Sequence, residues 1–400
     1  MAVKKYRVAY LVSHPIQYQA PMLRLLSAQP DMDLTVYFQS DMSVRGYADH
    51  GFGQRVKWDT PLIDGYQYEI LPGIWRDGPV TAQRPINWGF ASRLHRSRFD
   101  ALWVHGYARW VNWTAMARAR ARGLAVFVRD EATLFSAERS FIRRQAKRAF
   151  FGPLSHLASA FLAIGTANRD YYLAHGIPPE RIFNMPYCVD NAFFADRARR
   201  AQASRAQLRR DLRLDAGRPV ILYASKFEPR KRPRDLLLAY ERLASGSDAA
   251  VKPFLLFLGD GELRDSLEAE ARSKGLHAVK FLGFRNQSEL PAFYDLCDVF
   301  VLPSTSEPWG LVVNEVMAAG RPVVVSDQVG CARDLVANGL NGFIFPAGDV
   351  EALADALTRV LVDRDRAARM GMASCQIMAK WSFDDDVVGL RGALRATLGR

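Results

Sequence analysis

The sequence predicts an α/β protein built as two doubly wound domains, and three observations predict it. Short apolar, strand-like runs alternate with helical stretches along most of the chain, the mark of βαβ units and parallel sheets. At 400 residues the chain is long enough for two separate cores. Near its middle, residues 195–217 turn polar and Arg-rich (Arg197, Arg199, Arg200, Arg205, Arg209, Arg210), a shift in composition that marks a boundary. The expected layout is a first domain over 1–195, a linker region over 196–217 and a second domain over 218–380. A C-terminal helix over 381–400 would pack back on the first domain.

Composition bounds the function. A hydrophobic share of 49% and a charged share of 24% suit a globular chain that folds in water. No stretch reaches the roughly 18 apolar residues of a membrane span. The apolar run after Lys4, Lys5 and Arg7 is too short for a signal peptide. Cys188, Cys297, Cys331 and Cys375 show no metal-ligand spacing, and the cytoplasm is the expected compartment. The net charge of +12 points to an anionic partner: a membrane surface, a nucleic acid or a phosphorylated substrate. Nucleic acid has only the charge in its favour, because no recognition motif accompanies it.

In the first half, strands are expected at 7–13, 33–39, 66–71, 99–104, 124–129, 159–164 and 181–185. The first strand runs into His14-Pro15-Ile16-Gln17-Tyr18-Gln19-Ala20-Pro21, a strand-to-helix crossing without glycine. His14, Gln17 and Tyr18 would there make contacts that backbone N–H groups make elsewhere, although His14 before a proline equally suits a structural hydrogen bond. Residues 40–65 read as a long irregular loop, a feature that is usually functional or mobile. Arg129-Asp130-Glu131 is a charged cluster at a strand's carboxyl end, either a ligand site or a salt-bridged terminus. Over 138–151, Arg139, Arg143, Arg144, Lys147 and Arg148 interleave with Phe141, Ile142, Phe150 and Phe151. That pattern fits an anionic membrane surface or the solvated face of a core-packed helix.

The second half alternates more cleanly. Strands are expected at 219–224, 253–258, 279–282, 299–302 and 322–326, and helices at 233–244, 262–274, 288–296, 310–319 and 331–338. After Asp349 the pattern is mostly helical. Lys226, Arg230, Lys231 and Arg232 follow the first of these strands, four cations that suit a diphosphate and could neutralise it without a metal, or else form a plain surface basic patch. Gly259-Asp260-Gly261 resembles part of a dinucleotide fingerprint, but Arg264 stands at its third glycine, which argues against a nicotinamide cofactor. Gly283-Phe284 ends the third strand where a nucleobase could lie. Residues 303–320 then place Glu307 in a loop and Glu315 on the helix expected from 310. Eight residues of helix would separate them by about 12 Å. The N–H groups of Gly310, Leu311 and Val312 at the helix start suit a phosphate. A plain buried strand, loop and two solvated glutamates is the alternative.

Together these residues resemble family 4 of the retaining glycosyltransferases of the GT-B class. The resemblance rests on the E-x7-E frame from Glu307 to Glu315 with its Pro-Trp-Gly-Leu-Val-Val interior. Lys226-x4-Lys231, Gly259-Asp260-Gly261-Glu262, Phe281-Leu282-Gly283, Asn341-Gly342-Phe343 and Pro346 add to it, over roughly 181–350. Lys226 stands where the family pattern has Arg. The resemblance implies two Rossmann-like domains facing each other across a cleft, and transfer of a sugar from a nucleotide-diphosphate sugar to an acceptor hydroxyl with retained configuration. It implies catalytic roles for Glu307, Lys231 and Lys226. Donor contacts would come from Arg230, Gly261, Gly283, Phe284, Trp309, Gly310, Leu311, Val312 and Glu315.

The first half matches more loosely. His14 to Pro21 replaces a Gly-Gly turn. The family's His at the end of a middle strand aligns with 124–129, where Arg129 or Asp130 fills the slot. No cofactor or metal is expected. The implied partners are the donor, a glycan or lipid-linked acceptor in bacterial surface polysaccharide or glycoconjugate synthesis, and an anionic membrane that the enzyme meets peripherally on its inner face. A sugar-nucleotide epimerase on the same fold, or a non-catalytic nucleotide-sugar-binding subunit, is the rival reading.

Overall fold

The computed structural model describes residues 5–49, 51–75, 80–81, 83–135, 141–245 and 252–399, with side chains left undescribed over 141–148. Arg139 of the basic stretch therefore lies outside the described residues, as do the side chains of Arg143, Arg144, Lys147 and Arg148. The chain divides into two units: Met1–Ala48, Arg55–Tyr187 and Phe383–Arg400 form the first, and Asp49–Gln54 and Cys188–Ser382 the second. Among the described residues no helix is long and apolar enough to cross a membrane.

The first unit centres on a seven-stranded sheet of β1 (Tyr6–Val12), β2 (Met32–Phe38), β3 (Gln67–Ile70), β4 (Ala101–His105), β5 (Ala125–Arg129), β6 (Ala160–Ala163) and β7 (Ile182–Asn184), ordered β7-β6-β5-β4-β1-β2-β3. Every neighbouring pair is parallel. A parallel strand covered on both faces reads as an unbroken apolar run, which is why these strands stand out in the sequence. Alternate residues serve opposite faces: Val8, Tyr10 and Val12 join one core cluster, Ala9 and Leu11 the other. Helices α1 (Gln19–Ser27), α2 (Trp110–Ala121), α3 (Phe141–Leu157) and α4 (Thr166–Ala174) connect the strands.

The cluster holding Val8 and Tyr10 also takes Val387, Leu390, Ala393 and Leu394 from the C-terminal helix, Phe383–Leu398. Gly389 lets that helix approach β7 closely, since a Cβ there would meet the Asn184 carbonyl oxygen at 1.9 Å. Arg129 anchors the same helix. Its side chain is 1% exposed and sits 3.0 Å from Asp386, itself 1% exposed, and it donates to the Met185 and Pro186 carbonyls at 2.8 and 2.9 Å. The guanidinium also lies 4.8 Å from the Tyr187 ring centroid. Arg129 is thus turned inward, away from the substrate side expected for it. Asp130 is buried too, accepting from Ala132 N at 2.9 Å and Asn168 Nδ2 at 3.1 Å, a strand-end turn where a ligand contact was expected.

The second unit repeats the plan with six strands: β8 (Val220–Ala224), β9 (Phe254–Leu258), β10 (Val279–Phe281), β11 (Val299–Leu302), β12 (Val323–Ser326) and β13 (Gly342–Phe345), ordered β10-β9-β8-β11-β12-β13 and parallel throughout. β13 was not expected. It has four residues and opens on Gly342, where a Cβ would meet the Val323 carbonyl oxygen at 1.9 Å. Helices α5 (Asn191–Ala201), α6 (Arg205–Asp211), α7 (Pro233–Ser245), α8 (Arg264–Ser273), α9 (Leu290–Leu296), α10 (Leu311–Ala318), α11 (Val350–Leu361) and α12 (Arg364–Met378) pack around it.

Two expectations are corrected. Residues 196–217 are no linker: α5 and α6 belong to the second unit, and α5 packs on α9 and α10 through buried Phe194 and Ala198. Arg205 of α6 pairs with buried Asp295. Arg197, Arg199, Arg200 and Arg210 form the exposed outer face of these helices. Residues 40–65 are partly ordered, with a helical turn at Met42–Arg45 and a ribbon of Tyr47–Asp49 and Gln54–Val56.

Asp386→Ala would leave the Arg129 charge buried beside an empty site. It is expected to cost about 3–5 kcal/mol, read as a lower urea midpoint, and an unchanged midpoint would refute the anchor.

Candidate active site

In a sheet of order 3-2-1-4, the connections leaving the first and fourth strands run to opposite faces, and a crevice opens outside their carboxyl ends. In the second unit those strands are β8 and β11. The basic loop after β8 and the loop after β11 meet there: Thr305 N donates to Arg230 O at 2.8 Å, and Arg230 Nη1 to Ser306 O at 3.3 Å. Lys231, 9% exposed, forms an ion pair with Glu307, and Arg230 stands 4.0 Å from the same carboxylate. The Glu307 backbone is pinned by exchange with the loop after β12, its N–H donating to Gln328 O at 3.1 Å and its C=O accepting from Gly330 N at 2.9 Å. Lys226 pairs with Asp49 at 2.7 Å.

Gly310 caps α10 at φ +96°, a conformation that favours glycine, and packs against Leu302 and Val329. The helix starts at Leu311, so three of the seven residues between Glu307 and Glu315 are loop, where an unbroken run of eight helical residues was expected. The first-turn N–H groups of Leu311 and Val312 have no helical carbonyl to reach and remain suited to an anion. Glu315 accepts from Tyr294 Oη at 2.5 Å. Burial pushes its pKa up to about 7, against the opposing pull of the Tyr294 hydrogen bond.

Other expected donor residues are engaged otherwise. Trp309, 2% exposed, stacks on Trp381 (centroids 5.5 Å, 17°) and donates to Asn314 Oδ1 at 3.0 Å, which makes it packing rather than a platform. Gly259 and Gly261 let the basic loop lie across them: a Cβ on the first would meet Ser225 O at 2.0 Å, and on the second Phe227 N and O at 2.9 Å. Asp260 is held by Arg264 at 2.7 Å. Gly283 has φ +73°, and Phe284 beside it meets the Phe52 ring edge-on at 4.9 Å.

In the first unit the equivalent strands are β1 and β4. His14 follows β1 with Nδ1 buried, and its pKa falls to about 4 through burial and then the Arg109 and His105 charges. The strand ending in histidine is β4, neighbour of β1, and not the 124–129 strand. His105 Nδ1 lies 3.2 Å from Tyr10 Oη and its Nε2 3.3 Å from Tyr187 Oη. Burial lowers the His105 pKa, partly opposed by Glu131. Tyr187 donates to Glu131 Oε1 at 2.5 Å, Tyr18 approaches the same oxygen at 3.4 Å, and His105 Nε2 stands 3.9 Å from it. Tyr18 thus joins a cluster with His105 and Glu131, whereas Gln17 is part-buried. The signal for His105 was its place at a strand end before Gly106. Among the described residues no group of three or more His, Cys, Asp or Glu is placed to hold a metal ion.

Residues 204–376 match the family model described as glycosyl transferases group 1. A GDP-mannose-dependent alpha-(1-6)-phosphatidylinositol monomannoside mannosyltransferase of Mycobacterium tuberculosis is 34% identical over 227 residues, 54% of this chain and 57% of the relative. An alpha-D-kanosaminyltransferase of Streptomyces kanamyceticus is 30% identical over 221 residues, 54% and 55% of the two chains. The chain thus spans a little over half the length of the curated relatives it matches. Among solved structures, HepE of Anabaena in complex with UDP and glucose gives a TM-score of 0.69 at 18% identity, covering 98% of this chain and 99% of that one. A sucrose-phosphate synthase from Thermosynechococcus elongatus gives 0.70 at 18%, covering 99% and 100%. The two Rossmann-like units are those of the GT-B fold. The family match, 204–376, falls within the second unit.

A carboxyl group whose pKa is raised on folding favours the folded state most when protonated, and that stability is lost as pH rises through the folded value. The contribution of Glu315 to the unfolding free energy should therefore fall between about pH 4.5 and 7, and Glu315→Gln should remove that part of the pH slope. Equal slopes in urea titrations of the two proteins would exclude Glu315 as the source.

Proposed function

We propose that this protein is a retaining glycosyltransferase that moves a sugar from a nucleotide-diphosphate sugar to an acceptor hydroxyl. The carrying observation is the seating of the Lys231–Glu307 ion pair where the basic loop and the loop after β11 meet, at the crevice of the second sheet. As the glycosidic bond breaks, negative charge grows on the β-phosphate. Lys231, Lys226 and the N-terminus of α10 stabilise that charge where it develops. The sugar ring becomes cationic, and Glu307 orients its hydroxyls and offsets that charge. Glu315 receives the ribose diol at the far end of the segment. Retention is supported by the resemblance of the Glu307–Glu315 frame to retaining enzymes, and the GDP- and UDP-linked relatives favour a nucleotide-sugar donor. With cations already beside the diphosphate, no metal is required.

The acceptor falls to the first unit, around His14, Tyr18, His105 and Glu131. We place the acceptor in surface glycan or glycoconjugate synthesis, on a glycan or lipid-linked carrier at an anionic membrane. Charge supports this: the first unit has 27 Lys and Arg against 16 Asp and Glu, the second 27 against 26. Nearly all of the net +12 is thus carried by one unit. The same unit exposes a ribbon of Gly73–Ile74 and Ile86–Asn87 flanked by Trp75 and Trp88, each 53% exposed. Tryptophan beside basic charge suits a lipid headgroup region.

A thermal-shift screen of nucleotide-sugars, then an assay of nucleotide release with and without acceptor, tests the reading and separates transfer from epimerisation or passive binding. Glu307→Gln should lose turnover by orders of magnitude, Glu315→Gln should mainly raise donor KM, and EDTA should leave turnover intact. Equal, modest losses in both variants, or rescue of EDTA-treated enzyme by manganese, would refute these roles.

Sedimentation with vesicles addresses the membrane. Binding is expected to anionic but not neutral vesicles, released by high salt and weakened several-fold in the Trp75→Ser/Trp88→Ser variant. Indifference to anionic vesicles at low salt would exclude it.

A further inference from the structure

Lys226 does not wait unpaired for a phosphate. Residues 49–54, far away in sequence, belong to the second unit. Asp49 Oδ1 lies 2.7 Å from Lys226 Nζ, and the same oxygen accepts the N–H groups of Gly51 at 2.9 Å and Phe52 at 3.1 Å. An aspartate that turns the chain on its own backbone in this way presents its charge from a fixed position. Phe52 lies under the same lysine, ring centroid 4.8 Å from Nζ, and meets Phe284 edge-on at 4.9 Å. The tip is seated closely: a Cβ on Gly51 would come within 2.5 Å of Lys226 Cδ and 2.6 Å of Glu228 Oε1. A Cβ on Gly261 would in turn come within 2.9 Å of Gly51 O.

We propose that this tip competes with the donor for one place, Asp49 standing for a phosphate oxygen at Lys226 and Phe52 for the nucleobase at Phe284. The inference rests on the donor site described under the proposed function, and the ligand to which the tip yields is a nucleoside diphosphate. A carboxylate and a diphosphate are both anions, and one ammonium group at hydrogen-bond distance serves one of them at the expense of the other. The donor therefore binds a site whose open fraction Asp49 lowers, and its apparent affinity is reduced by that fraction. Glu307 differs, because its place beside Lys231 is where a sugar hydroxyl rather than a phosphate is expected. Asp49 is on this account a positioning residue that sets donor affinity through Lys226.

The sign of the effect sets it apart from structural damage, since removing the Asp49 charge should tighten binding. Asp49→Asn is the suitable change because the amide oxygen still accepts the two backbone N–H groups. UDP, GDP and ADP are titrated by calorimetry into wild type, Asp49→Asn, Lys226→Gln and the double variant. Whichever diphosphate binds wild type should bind Asp49→Asn roughly three- to ten-fold tighter. That gain should vanish in the Lys226→Gln background and be absent for the free nucleoside. Equal or weaker binding by Asp49→Asn, with Lys226→Gln still weakening the diphosphate, overturns the placeholder and leaves the donor site standing. No binding of any of the three to any of the four proteins overturns both.

Discussion

Both units obey one constraint: a parallel sheet whose chain order reverses beside its first strand. Parallel strands need a crossover for every pair, and right-handed crossovers that change direction must cover opposite faces. The helices that follow β1 and β4, or β8 and β11, are sent to opposite faces as a result, and side chains on the loops before them face an opening rather than a helix. His14 and His105 stand at one such opening, Lys231 and Glu307 at the other. The residues available for chemistry are those that the sheet order leaves uncovered.

Charge in these openings is compensated rather than bare. Lys231 is matched by Glu307, Lys226 by Asp49, and Asp260 by Arg264. A part-buried lysine without a counter-charge would lose solvation that no neighbour restores. Pairing keeps the cations aimed, and it sets what an anionic ligand must displace. Away from the openings, the same logic becomes structural: Arg129 and Asp386 neutralise each other in the interior, and Asp295 is held by Arg205 and Arg321.

The strands were legible because each central one is apolar without interruption. β13 escaped because four residues opening on glycine make no run. α5 and α6 read as a linker because composition averages over both faces of a helix, and here the outer face is arginine while Phe194 and Ala198 are covered. In the second unit, position after a strand was enough to single out Lys231 and Glu307 as candidates, and the structure brings the two together as an ion pair. Trp309 was misjudged because its partner, Trp381, is remote in the chain, and a local pattern cannot show a stack. The pairing of Asp49 with Lys226 spans 177 positions and left no local trace at all. His105 did leave one, a strand end before glycine, but the matching histidine slot was set on the next strand.

The C-terminal helix has a consequence for biosynthesis. It covers the face of the first sheet formed by Val8, Tyr10 and Val12, and its Asp386 satisfies Arg129 of β5. Chains emerge from the ribosome N-terminus first, so the first unit spends the whole translation of the second with that face and that buried arginine unmatched. Its seven strands are in hand early, yet its final closure awaits a helix made after the second unit. The second unit, whose strands and glutamates all precede Phe383, can settle beforehand. The order of synthesis is therefore the reverse of the order of completion.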